Sequence, residues 1–156
     1  MSSHAAPAPG TVTALQAALA AEHAAVYGYG VVGAYLSGSE QATATTDWVA
    51  HQVARDRLEA MLRSAGGSQP TAAAVAYQLP MPVRNAREAA ALAVVLEDRV
   101  ATAYLGLVAL SSTAIREYGA QQVQASALRA ATWRGSTVAF PGLTSAALAA
   151  PRRPHS

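Results

Sequence analysis

The chain has 156 residues, enough for one domain with a real core, and a formal net charge of only +2. It contains no cysteine, and all 11 basic residues are arginine. This composition excludes disulfides, thiolate metal sites, iron–sulfur clusters, cysteine nucleophiles, Schiff-base lysines and phosphate-loop lysines. The residues are 52% hydrophobic but only 6% aromatic, because alanine carries much of the apolar count. Alanine favours helix and lets helices approach closely, so an all-α fold is expected.

The arginines are scattered rather than striped, which argues against a nucleic-acid partner. Residues 1–10 lack the basic n-region and apolar h-region of a signal peptide and read as a disordered leader. The most apolar stretch, Ala14 to Leu36, carries Gln16, Glu22 and His23. A central charge there costs about 2.5–3.5 kcal/mol on insertion, so no membrane partner is expected. A cytoplasmic monomer or homodimer is the default expectation.

The first predicted helix runs from Thr11 to Leu36, with apolar positions at Leu15, Leu19, Val26, Tyr29, Gly33 and Leu36. Steps of three and four mark an amphipathic helix. Thr13 with Gln16 has the spacing of a capping box, and Ser37-Gly38 should stop the helix. Ser37 with Glu40 repeats that spacing and opens a second helix to about Ser64, ended by Gly66-Gly67. So short a connection makes the two helices antiparallel neighbours.

Ser68 to Arg84 contains Pro70, Pro80 and Pro82 and cannot be one long helix. It is nonetheless apolar at Val75, Tyr77, Leu79, Met81 and Val83. A helix of about 26 residues is roughly 39 Å long, and an extended strap of about 18 residues reaches roughly 60 Å. The strap can therefore travel the full length of a bundle while lying on it.

The third helix starts at a strong signal, Asn85 followed by Glu88 three residues on, and is expected to reach about Thr113. A fourth runs from about Ile115 to Thr137, before Phe140-Pro141-Gly142. Short turn, long crossover, short turn is the ferritin-like four-helix arrangement. The expected organisation is leader 1–10, bundle 11–143 and flexible tail 144–156.

Polar residues interrupt the apolar seams. Glu22 lies between Leu19 and Val26, with His23 beside it. The second-helix seam reads Trp48, His51, Arg55, Leu58, Leu62, with Asp56 one step off. The third-helix seam reads Ala93, Glu97, Val100, Tyr104, Leu107. A buried carboxylate is costly unless paired, protonated or metal-bound. Glu22, His51 and Glu97 are thus expected to face one core near mid-helix. Two readings stand open. Carboxylates with imidazole suit iron, manganese or zinc, iron or manganese being the cofactors expected, with His23, Asp56 or Tyr104 as further ligands or supporting groups. Alternatively no metal binds, and the charges pair: Glu22 with Arg55 or Arg134, and His51 with Glu97.

At these residues the chain resembles a bacterial ferritin-like domain family of unknown function. The matching pieces are EHAAVYGYG around Glu22, HxxxRD from His51 to Asp56, LED from Leu96 to Asp98, and FPGL from Phe140, over roughly Thr11 to Leu143. The resemblance implies the four-helix fold but no reaction. Members of the wider superfamily bind two metals through a glutamate on one helix and ExxH on the next, repeated once. Here Trp48 stands where the ExxH glutamate would be, and the fourth helix has no ExxH. That implies one weakly held metal, or none.

Gly28, Gly30 and Gly33 spell GxGxxG inside a helical pattern, without the strand a dinucleotide site needs. Close approach of a helix or of Trp48 is the expected reason for them. Tyr27, Tyr29 and Tyr35 read as core and rim packing, and Trp48 and Trp133 as packing anchors.

Overall fold

The computed structural model describes residues 7–66 and 68–135. Among these the chain forms four helices: α1 (Thr11–Ala34), α2 (Gly38–Ser64), α3 (Ala86–Val108) and α4 (Thr113–Arg134). The fold is an all-α four-helix bundle. Helix α1 packs on α2 and on α3, and α3 packs on α4. Residues 1–6 of the expected leader 1–10, the end of the fourth helix at Thr137, the FPGL segment and the tail lie outside the described residues.

Three termini differ from expectation. Helix α1 starts at Thr11 behind Gly10, whose φ of 84° suits glycine, so Thr13 lies inside the helix and caps nothing. Gln16 instead holds the strap: its amide donates to Gln69 O at 2.7 Å and accepts from Thr71 N at 3.0 Å. Ser37 is the N-cap of α2 in extended conformation, but its hydroxyl makes no capping bond. Helix α3 stops at Val108, because Ser111 and Ser112 break the run and Ser112 becomes the N-cap of α4. The Asn85 signal is the one that forms. Its side chain accepts from Glu88 N at 2.9 Å, and Glu88 reaches back to Arg84 N at 2.7 Å.

The crossover, Ser68 to Asn85, contains neither helix nor strand. It runs against α1, with Tyr77 5.5 Å from Tyr27 ring to ring. Leu79, Met81 and Val83 pack on the core, whereas Val75 is fully exposed.

The core falls into two apolar layers. One gathers Leu15, Leu19, Leu58, Leu62, Val100, Tyr104 and Leu107. The other gathers Tyr29, Val32, Leu36, Ala44, Leu92, Ala93 and Leu96. Glu22, His51 and Glu97 are all 0% exposed. His51 and Glu97 have sequence positions between these layers on α2 and α3, and Glu22 lies at the edge of the first layer on α1, between Leu19 and Ala25.

Two glycines mark close contacts. A Cβ on Gly28 would lie 2.5 Å from Leu96 Cδ1. One on Gly119 would lie 2.8 Å from Leu107 Cβ and 3.2 Å from the backbone of Tyr104 and Val108. Gly119 thus sets how closely α4 approaches α3. Gly30 and Gly33 face open space, so the expected close approach at these two is absent among the described residues.

Candidate functional site: a buried ionic chain

The three residues expected to meet do meet. His51 lies between two glutamates, with Nδ1 2.7 Å from Glu22 Oε2 and Nε2 2.9 Å from Glu97 Oε1. The helices place them there because each occupies a core position near the middle of its rod. Two tyrosines close the ends. Tyr104 donates to Glu22 Oε1 at 2.7 Å, and Tyr29 donates to Glu97 Oε1 at 2.7 Å.

The fourth helix supplies the second cation. Arg129 Nε donates to Glu97 Oε1 at 2.9 Å, and its terminal nitrogen reaches the buried Ser126 hydroxyl at 3.4 Å. Glu97 Oε1 therefore accepts from His51, Tyr29 and Arg129. Its Oε2 is buried and has no partner among the described residues. Beyond Tyr29 the chain continues to Trp133, whose indole N–H faces Tyr29 Oη at 3.1 Å and the buried Asp47 Oδ2 at 2.9 Å.

The proton positions follow from this geometry. Burial alone would lower the His51 pKa, but the hydrogen bonds and charges of Glu22 and Glu97 outweigh it and raise it to about 9. Both ring nitrogens then donate, so His51 is an imidazolium at neutral pH. Burial would raise Glu97, yet His51, Arg129 and Tyr29 hold it below the ordinary carboxylate value. Burial pushes both Tyr29 and Tyr104 far above the ordinary phenol value, with their glutamate partners adding to it. Both phenols stay neutral donors. Asp47 is raised, chiefly by burial. The central group is neutral as a whole: two carboxylates face one imidazolium and one guanidinium.

The other expected residues stand elsewhere. Arg55 does not enter the core. It pairs with the exposed Asp56 at 2.8 Å, and its own side chain is 29% exposed. A single-step offset along α2 explains this, because His51, Leu58 and Leu62 define the buried stripe and Arg55 sits at its edge. Arg134 pairs with Asp98 at 2.8 Å rather than with Glu22. His23 is nearly buried but faces the crossover, with Nε2 3.0 Å from Thr71 O. Trp48 is half-exposed and donates to Val26 O at 3.0 Å. The expected pairing of His51 with Glu97 forms; the expected arginine partner of Glu22 is replaced by His51 and Tyr104.

Asp47, Ser126 and Arg129 carry weak signals in the sequence. Asp47 is one helical turn before His51, on the same stripe. Arg129 lies one residue from Ala130 in the alanine run of α4, where small neighbours leave its long side chain room to turn inward.

A shared ion does not fit these residues. Glu22 and Glu97 address opposite edges of the His51 ring, so their oxygens and the imidazole cannot point at one centre. The imidazole is the bridge, and the Arg129 guanidinium occupies the remaining approach to Glu97 Oε1. Among the described residues no group of three or more histidine, aspartate and glutamate side chains could hold a metal ion. Nor is any described helix long and apolar enough to cross a membrane.

No curated protein matches the chain. Among solved structures, it is similar to a conserved hypothetical protein, rv2844, from Mycobacterium tuberculosis. The two are 36% identical over 79% of this chain and 93% of that one, with a TM-score of 0.75. A family model described as a domain of unknown function, DUF4439, matches residues 14–145. With that match spanning most of its length, the chain belongs to the DUF4439 family.

Proposed function

We propose that the chain is a non-catalytic helical scaffold whose interior ion pairs fix the register of its helices. One observation carries this reading: His51 spends both ring nitrogens on carboxylates from two other helices, and Arg129 brings in the fourth. Each helix contributes one charged member: Glu22, His51, Glu97 and Arg129. A slip of any rod by one turn, about 5.4 Å, would strand a charge in an apolar layer. Setting register is the best-attested use of buried ions.

The long crossover supports a ferritin-like arrangement. In this reading two cations of the chain itself, His51 and Arg129, stand where that superfamily places metal. Glu97 Oε2 is the observation that favours the other reading, a weakly held iron or manganese ion, since a buried lone acceptor suits a cation or a water.

Elemental analysis of protein produced in iron- and manganese-supplemented medium separates the two. The scaffold reading expects less than about one-tenth equivalent of either metal and melting unchanged by chelator. A stoichiometric metal whose removal lowers the melting temperature overturns it.

A further inference from the structure

The bundle end that holds the start of α1, the end of α2 and the start of α4 encloses a cleft of about 440 Å³. Its lining joins two kinds of surface. Met61 and Ile115, with several alanines, make an apolar wall. Arg57, Thr11, Ser112 and the first turn of α4 make a polar one.

Three independent features of the polar wall call for an anion. The first is Arg57, an exposed side chain that forms no ion pair or hydrogen bond with any described residue and whose charge acts on Tyr118; no acidic residue lines the cleft. The cleft between α2 and the crossover differs in this respect: Arg55 and Arg63 there are paired with Asp56 and Glu59. The second is Thr11, only 4% exposed, which lines the cleft while its hydroxyl bonds to no described residue. The third is the amino end of α4. Ser112 makes no side-chain cap, so the N–H groups of Ala114 and Ile115 have no helical acceptor, and the dipole of a 22-residue helix adds partial positive charge. The α2 carboxyl end borders the same cleft and opposes this, although its carbonyls at Met61, Leu62 and Ser64 each accept from Ala65 or Gly66.

We propose that this cleft binds a small monoanion with an apolar body, of the class of an aliphatic monocarboxylate. One guanidinium and one helix end match a single negative charge, and the Met61–Ile115 wall matches an alkyl chain. The volume lies within the range of small-molecule sites, about 300–1,000 Å³. The site is separate from the ionic chain and does not depend on its role.

Titration of the full chain with octanoate, followed by amide NMR shifts, tests the proposal, with 1-octanol and Arg57→Gln as controls. The expected result is saturable shifts at Thr11, Ser64 and Ser112 to Ile115. In Arg57→Gln the dissociation constant should rise about tenfold or more, with melting nearly unchanged because Arg57 is exposed and makes no ion pair or hydrogen bond among the described residues. Absence of saturable shifts overturns the site. Equal binding of octanol, or of octanoate to Arg57→Gln, overturns the anion assignment and leaves only an apolar crevice.

Discussion

His51 is charged because two carboxylates need it to be. Its proton is shared between helices that burial would otherwise drive apart, so stability should follow its titration. A folded-state pKa raised from 6.5 to about 9 gives stability that is fully present below pH 6.5 and is lost as pH rises through 9. That shift corresponds to roughly 3 kcal/mol, a large share of a marginal fold. Glu97 acts in the opposite sense. Its depressed pKa contributes stability above the ordinary carboxylate value that is lost as pH falls through the depressed one. Asp47, with its raised pKa, favours the acid side and tilts the plateau downward toward neutrality. Melting temperature measured from pH 6 to 10 should fall, most steeply between 6.5 and 9, and His51→Gln should flatten the profile. A wild-type profile with no alkaline fall would show that the imidazole is neutral in the fold.

Removing one partner at this site should cost far more than replacing a whole pair. Glu97→Gln leaves Arg129 and the Nε2 edge of His51 without a carboxylate, while Nδ1 keeps Glu22, and chemical denaturation should show a loss of about 3–5 kcal/mol. Arg129→Met together with Glu97→Gln should recover part of that loss. Additive losses in the double variant would mean that the two residues do not interact.

At the scale of the element, two glycines of ordinary helical backbone carry opposite expectations. Gly119→Ala drives a methyl into Leu107 Cβ and the α3 backbone, neither of which can move aside cheaply. A loss of about 1–3 kcal/mol is expected. Gly30→Ala meets nothing among the described residues and should gain about 0.5–1 kcal/mol from reduced unfolded-state freedom. Thermal melts of the two variants check both signs. The contrast also shows what a sequence reveals. Mid-helix glycine signals close approach, yet spacing alone does not say which of Gly28, Gly30 and Gly33 is approached. Helix existence and order follow from apolar periodicity, so all four rods were readable. Helix ends depend on whether one hydroxyl or amide finds a donor, as Asn85 does and Ser37 does not.

At the scale of the whole molecule, the meeting of Glu22, His51 and Glu97 was legible because a charge on a buried stripe must find company. Its geometry was not. Whether three groups converge on an ion or string out across a ring depends on rotation of each rod by a few tens of degrees, which residue spacing does not resolve. Arg129 was hidden for a related reason. Helix α4 is only weakly amphipathic, with Gly119, Ser126 and Ala130 its buried residues, so no strong stripe marks which arginine turns inward.

The crossover divides the covalent chain into two helical hairpins, α1 with α2 and α3 with α4. Glu22 and His51 belong to one, Glu97 and Arg129 to the other. A protease should cut first in the strap near the fully exposed Val75, where no backbone ladder protects the peptide bonds. The severed halves should then stay together, held by the hydrogen bonds His51–Glu97, Tyr104–Glu22 and Tyr29–Glu97 and by the apolar layers that both halves build. Nicked protein should elute as one particle in native chromatography and as two bands under denaturing conditions, and separately made hairpins should reconstitute the fold when mixed.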